Sequence, residues 1–244
     1  MPDTALLALT WRVTRHRLVA SPLAIVAGLA FPVFIVWIGF HDSYASAAKF
    51  FFFLLPHVFL IAAQDTVRSD VESGALESVL FLGGRWRKYL SAKSLVLAAV
   101  AAGYAVCLFA LFAAWGAARG ELRPDFAARF ALALVAGAYY VAVAGTLSYV
   151  LKAGSNVLAL LLAQSAAVMA LVFSATSRTG LLDYAATGHF PGIGAKVLFG
   201  ALVAVLPNVI VSGRLPFFAA EIAAGLGLAL FVQGRLARRL EIRK

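Results

Sequence analysis

Apolar runs as long as a bilayer is thick dominate this chain. The first, PLAIVAGLAFPVFIVWIGF at 22–40, holds no charged residue. Comparable runs recur near 48–64, 94–118, 127–150, 156–175 and 216–234. A hydrocarbon core about 30 Å thick is crossed by about 20 residues of helix, and no run shows the period-two alternation of a membrane barrel. The predicted fold class is therefore an all-α polytopic membrane protein with six transmembrane helices, built as a single domain over 1–244. Composition agrees: 63% of residues are hydrophobic and 13% charged, where a soluble domain is about half apolar and a quarter charged. The first run follows Arg12, Arg15 and Arg17. It is too long for a signal-peptide core and no small-residue cleavage pattern follows it, so it reads as a retained span.

Between these runs lie the elements that set topology. Residues 4–18 mix leucines, Trp11 and three arginines, the make-up of an amino-terminal interfacial helix. The apolar run at 196–212 is broken by Pro207 and Asn208, and Gly192, Gly194 and Gly213 flank it. Charge counting decides how to treat it. With six spans and both termini cytoplasmic, Arg12, Arg15, Arg17, Arg68, Arg85, Arg87, Lys88, Lys93, Lys152, Arg235, Arg238, Arg239, Arg243 and Lys244 lie inside, and Lys49, Arg119, Arg123, Arg129, Arg178, Lys196 and Arg214 outside, 14 bases against seven. A seventh span would move the five tail bases outward and give nine against 12. The positive-inside rule favours six spans, with 180–214 as an external, re-entrant element whose irregular backbone protein must surround. Seven spans are the alternative. The net charge of +10 is explained by these flanking bases, and no nucleic-acid partner is expected.

Catalytic constellations are missing. No G-x-x-x-x-G-K-[ST] phosphate loop or H-E-x-x-H occurs, the four histidines fall in four separate regions, and Ser148 lies in GTLS rather than a G-x-S-x-G elbow. No metal site and no cofactor are predicted. The single cysteine, Cys107, allows no internal disulfide and reads as an inert core thiol.

Charge concentrates instead in RSDVESGALESVLFLGGRWRKYLSAK at 68–93, where Asp70, Glu72 and Glu77 are followed by Arg85, Arg87, Lys88 and Lys93. Bases alone would suit an anionic membrane surface. Acids gain nothing there and point to a protein partner. Positions 72–93 resemble the signature of the permease subunits of type-2, export-class ABC transporters, which runs roughly E-x-G-T-L-E-x-L-L-x-x-P-x-x-R and then a basic position at the start of the third span. Glu72, Gly74, Leu76, Glu77, Leu80 and Lys93 coincide with it; Ala75, Gly83 and Trp86 replace its threonine, proline and arginine. The spans, the amino-terminal helix and the external element agree over the whole chain.

The resemblance implies a non-catalytic permease of the prokaryotic plasma (inner) membrane. A coupling helix over 66–82 would dock on a separate ATP-hydrolysing subunit that carries the ATP and magnesium. A second permease copy, identical or paralogous, would complete the route. On this reading Ser69, Asp70, Glu72, Ser73, Gly74, Leu76, Glu77 and Leu80 form the ATPase-coupling surface. Arg85, Arg87, Lys88 and Lys93 anchor it to the lipid bilayer. The alternative is a membrane scaffold of the same fold that recruits a cytoplasmic partner without transport. Polar residues within the spans are costly and raise functional hypotheses of their own. His57, Gln64, Tyr139, Gln164 and Glu221 are candidates for a pathway or for bonds between helices, with Glu221 expected to pair with Arg214 or Lys196.

Overall fold

The computed structural model describes residues 4–64, 70, 74, 86–151, 155–176, 192–206 and 215–242. Every regular element among them is helical: α1 (Thr4–Ala20), α2 (Pro22–His41), α3 (Tyr44–Ala62), α4 (Trp86–Ala118), α5 (Phe126–Leu147), α6 (Ser155–Thr176), α7 (Ile193–Val205) and α8 (Leu215–Ile242). Six of them, α2 to α6 and α8, are long and apolar enough to cross a membrane. The chain is a multi-pass membrane protein.

Local chemistry sets the helix boundaries. Ser21 and Ser43 cap α2 and α3, each side-chain oxygen accepting the backbone N–H three residues on, from Ala24 at 3.3 Å and Ser46 at 3.1 Å. Pro22 occupies the first position of α2, where its missing N–H costs nothing. At the far end of α4, Gly120 turns left-handed (φ 68°), and the Glu121 N–H closes back on the Gly116 carbonyl at 2.9 Å, a Schellman ending. Spans α4 and α8 outrun their apolar cores. Trp86–Lys93 and Arg235–Ile242 continue the same helices past the hydrocarbon-length windows expected at 94–118 and 216–234.

Helix α5 is the central post, packed most extensively on α3 and α8, with α4 and α6 also against it. It accepts these neighbours because its inner face is small: Ala133, Ala136, Gly137, Ala144 and Gly145 are all buried. Without a hydrophobic drive between helices in lipid, such close backbone approach supplies the packing attraction. At Gly137 the space a Cβ would take is filled by the ring of Phe59 from α3, itself 1% exposed. Gly137→Ala is therefore expected to destabilise the bundle by about 1–3 kcal/mol. Gly103→Ala, at an α4 site with nothing within 4 Å, is expected to be neutral or slightly stabilising. Thermal unfolding of the two purified variants in one detergent checks this; equal midpoints would refute the packing argument.

The two ends of the bundle differ. One end gathers Arg17 of α1, Arg87, Lys88 and Lys93 of α4, and Arg235 and Arg238 of α8. At the opposite end the bases of the α4–α5 connection are matched by acids: Arg119–Glu121 at 2.7 Å, Arg129–Asp125 at 2.8 Å and Arg123–Asp125 at 3.5 Å. An aromatic cluster lies beneath that connection. Phe112 stacks between Tyr44 and Phe51, at centroid distances of 4.7 and 4.5 Å, and the Tyr44 hydroxyl donates to the Phe112 carbonyl. Cys107, expected in the core, is exposed on the outer surface of α4. An apolar run in a membrane protein can face lipid as readily as protein, so burial does not follow from hydropathy.

Candidate functional site

At the basic end a buried carboxylate joins three parts of the chain. Asp70 is 0% exposed. Arg17 Nη1 donates to its Oδ1 at 2.7 Å and Lys93 Nζ donates to its Oδ2 at 2.6 Å, and burial, with the carboxylate close by, pushes the Tyr89 hydroxyl pKa up. Lys93 is itself 3% exposed. Helix α1 supplies its arginine because the row it buries is polar. Thr10 and Thr14 face inward, one turn apart, and the row ends at Arg17, whereas Leu9 and Trp11 stay exposed. Helix α4 supplies Tyr89 and Lys93 from one face, four residues apart. Trp86, fully buried and stacked on Tyr89 at 5.3 Å, holds that face in place. With a cationic donor on each oxygen, the Asp70 carboxylate has the charge compensation that makes its burial tolerable.

This corrects two expectations. Asp70, expected on the ATPase-coupling surface, has both of its oxygens engaged inside the protein. Lys93, expected as a membrane-surface anchor, points inward to Asp70 two turns into α4. The cause is the same in both cases. The partners come from α1 and α4, helices distant in sequence, whose placement no local pattern reports. Gly74 has φ 72°, outside the right-handed helical region; apart from Asp70 and Gly74, the expected 66–82 helix lies outside the described residues. Glycine takes this left-handed conformation freely, at a position where another residue costs roughly 1–2 kcal/mol. Ser69, Glu72, Ser73, Leu76, Glu77, Leu80 and Arg85 lie outside the described residues. Arg87 and Lys88 are exposed at the start of α4.

A second polar cluster lies at mid-depth. Gln164, near the middle of α6 and 4% exposed, bonds three ways. Its Oε1 pairs with His57 Nε2 of α3 at 3.0 Å, and its Nε2 donates to the Tyr140 hydroxyl of α5 at 2.7 Å and to the Val205 carbonyl at 3.3 Å. The Tyr139 and Tyr140 hydroxyls donate to the carbonyls of Ala204 and Val205, at 2.6 and 3.4 Å. These carbonyls belong to the last turn of α7, which lacks intrahelical partners. Helix α7 has 13 residues, about 20 Å of rise, too short to cross the hydrocarbon core. It ends at the level of Tyr139. The next described helix passes the same tyrosine at Gly225, ten residues after its start.

Of the five candidate span residues, the structure brings His57, Tyr139 and Gln164 together. Gln64 lies two turns beyond His57, in the turn that closes α3. Glu221 is half-buried on α8, with one carboxylate oxygen buried and without a hydrogen-bond partner among the described residues. Lys196 makes no ion pair with it, and Arg214 is outside the described residues. Ser165, expected to bond between helices, turns back to the Leu161 carbonyl of its own helix at 2.9 Å. Sequence reasoning passed over Arg17, Tyr89 and the α7 carbonyls. Only the depth of Lys93 within a helix hinted that it needed an internal partner.

No family model and no curated protein matches the chain.

Proposed function

We propose that this protein is the permease subunit of an export-class ABC transporter, working as a pair with a separate ATP-hydrolysing subunit docked at the 65–85 segment. The observation that carries the reading is the Asp70 cluster. The segment bearing the family-like acids is tied by buried charge to α1 on one side and α4 on the other, so a force on it is delivered to two helices at once. That is the mechanical requirement for coupling ATP-driven closure to the spans. The partner-facing acids are Glu72 and Glu77, and Asp70 is the internal anchor. The basic end faces the cytoplasm, in keeping with the positive-inside rule, and Arg87 and Lys88 hold it to the inner leaflet. Helix α1 lies in the interface, its exposed Leu9 and Trp11 toward lipid. Helix α7 is the inward limb of a re-entrant element entering from the outer side, its bare C-terminal carbonyls taken up by Tyr139, Tyr140 and Gln164.

Glu77→Lys is expected to abolish co-purification of the partner ATPase, leaving membrane insertion and thermal stability intact, since charge complementarity sets register and capture. Undiminished capture by this variant would refute the coupling assignment. Vesicles holding both subunits should move cargo only with ATP. ATPase binding without any ATP-driven movement would instead identify a scaffold.

A further inference from the structure

Helix α2 is built in two unequal halves that meet at Pro32. Beyond the proline, Ile35, Ile38 and Gly39 are buried, and Phe31, just before it, stacks on Phe51 of α3 at 5.7 Å. From 22 to 30, by contrast, no described side chain is buried. A groove of about 330 Å³ separates this first half from the bundle, with Ala24 and Gly28 on one wall and Val58, Ala62, Ala101 and Tyr104 of α3 and α4 on the other. The first half of α2 therefore lies over the groove as a strap, joined to α1 through Ser21.

The proline decides where the strap can bend. Having no N–H, Pro32 cannot donate to the Gly28 carbonyl four residues back, and its ring crowds that carbonyl. Inside a membrane, a carbonyl freed in this way needs a donor from a neighbouring helix. The Tyr104 hydroxyl of α4 donates to the Gly28 oxygen, and its ring spans the gap between the two helices. Pro56 interrupts α3 by the same chemistry, but Phe52, Leu55, Phe59 and Leu60 around it are all buried. Packing holds α3 on both sides of its break. In α2 the break adjoins a half that packing does not fix, and the Tyr104 bond crosses the gap there.

We propose that residues 22–30 form a hinged strap that turns about Pro32, with Tyr104 as the latch that holds it off the bundle; released, the strap closes the groove. Ala24, Ala62 and Ala101 keep both walls small, which permits the close helix approach that van der Waals packing favours in lipid. The joint at Ser21 lies four residues past Arg17, which holds Asp70. A displacement of the Asp70 cluster is therefore delivered to one end of the strap and taken up at Pro32, as in other hinge motions. The inference rests on the packing of α2 and stands independently of the transport reading.

The test is pulsed electron paramagnetic resonance on the full chain in lipid nanodiscs, in a Cys107→Ser background, with nitroxides at exposed positions. Val26→Cys with Leu228→Cys reports the strap against α8, and Val36→Cys with Leu228→Cys reports the packed half of α2. Tyr104→Phe keeps the ring and removes the bond. In the strap pair it should raise the share of a second, shorter distance about threefold, the population change that follows from losing one interhelical bond of average strength. The other pair should not change. Pro32→Ala restores the N–H, so adding it to Tyr104→Phe should cancel the increase. Pro32→Ala alone should lower the shorter-distance share below that of the parent, an arm that does not depend on how well Tyr104→Phe folds. An unchanged strap distance in Tyr104→Phe, a longer second distance, equal broadening of both pairs, or an increase that survives Pro32→Ala would each overturn the proposal.

Discussion

Asp70→Asn is expected to be the most damaging single substitution at the basic end of the bundle, lowering stability by about 3–5 kcal/mol. Lys93, 3% exposed, would keep its charge and lose the carboxylate it meets at 2.6 Å. Removing one member of a buried ion pair costs far more than the pair itself is worth. In thermal unfolding this is a drop on the order of 10 °C for a chain of this size. Arg17→Gln should cost much less, because the Arg17 side chain is 36% exposed and water already shares its solvation. Equal losses in the two variants would show that burial of Lys93 is not the source of the effect.

The paired variant Asp70→Leu with Lys93→Met separates stability from coupling. Replacing both members of a buried ion pair by apolar residues of similar size is often neutral or stabilising, so this protein should fold and insert normally. Under the proposed function it should also bind the ATPase normally through Glu77. What it lacks is the charged tie between the 65–85 segment and α4. ATP hydrolysis should persist while ATP-driven cargo movement falls by at least tenfold. Full movement in the paired variant would mean that the Asp70 cluster only holds the fold together.

The spans were legible in the sequence because a bilayer imposes a length and a polarity that no neighbouring element can change. The ends of α4 and α8 were not. Amphipathic turns such as Trp86–Lys93 continue a helix beyond the hydrocarbon, and hydropathy stops counting there. The motif acids were visible as a cluster, but the side of the segment that faces inward depends on α1. Arg17 and Asp70 are 53 residues apart, and nothing local marks them as partners. Gly74 is visible as a glycine in the charged segment, whereas its left-handed conformation is a property of the folded backbone. The mid-depth cluster divides the same way. The sequence marks His57 and Gln164 as costly polar residues in apolar runs, each needing a partner. That they are each other's partner, across 107 residues, follows only from the packing of α3 and α6 around α5.

Gln164→Leu should release α7 from the bundle. The substitution is close in volume and apolar, so packing in α6 is kept while three bonds vanish together. The Val205 carbonyl and the Tyr140 hydroxyl lose a donor, and His57 loses its acceptor or donor at Nε2. A single interhelical bond in a membrane averages about 0.6 kcal/mol, and groups left buried without partners cost about 1–3 kcal/mol. With three groups affected, a loss of about 2 kcal/mol is expected, and it should concentrate where the replacement bonds are weakest. That place is the last turn of α7, whose Val205 carbonyl would retain only the 3.4 Å contact from Tyr140. Leu206, 1% exposed and one residue past the helix, is the reporter. In a Cys107→Ser background, maleimide should label Leu206→Cys slowly, and at least tenfold faster once Gln164→Leu is added. Tyr140→Phe, which leaves Gln164 bonded to both Val205 and His57, should produce a smaller increase. If Gln164→Leu leaves the labelling rate unchanged, apolar packing of α7 against α6 and α8, and not the hydrogen bonds, holds its inner end in the protein.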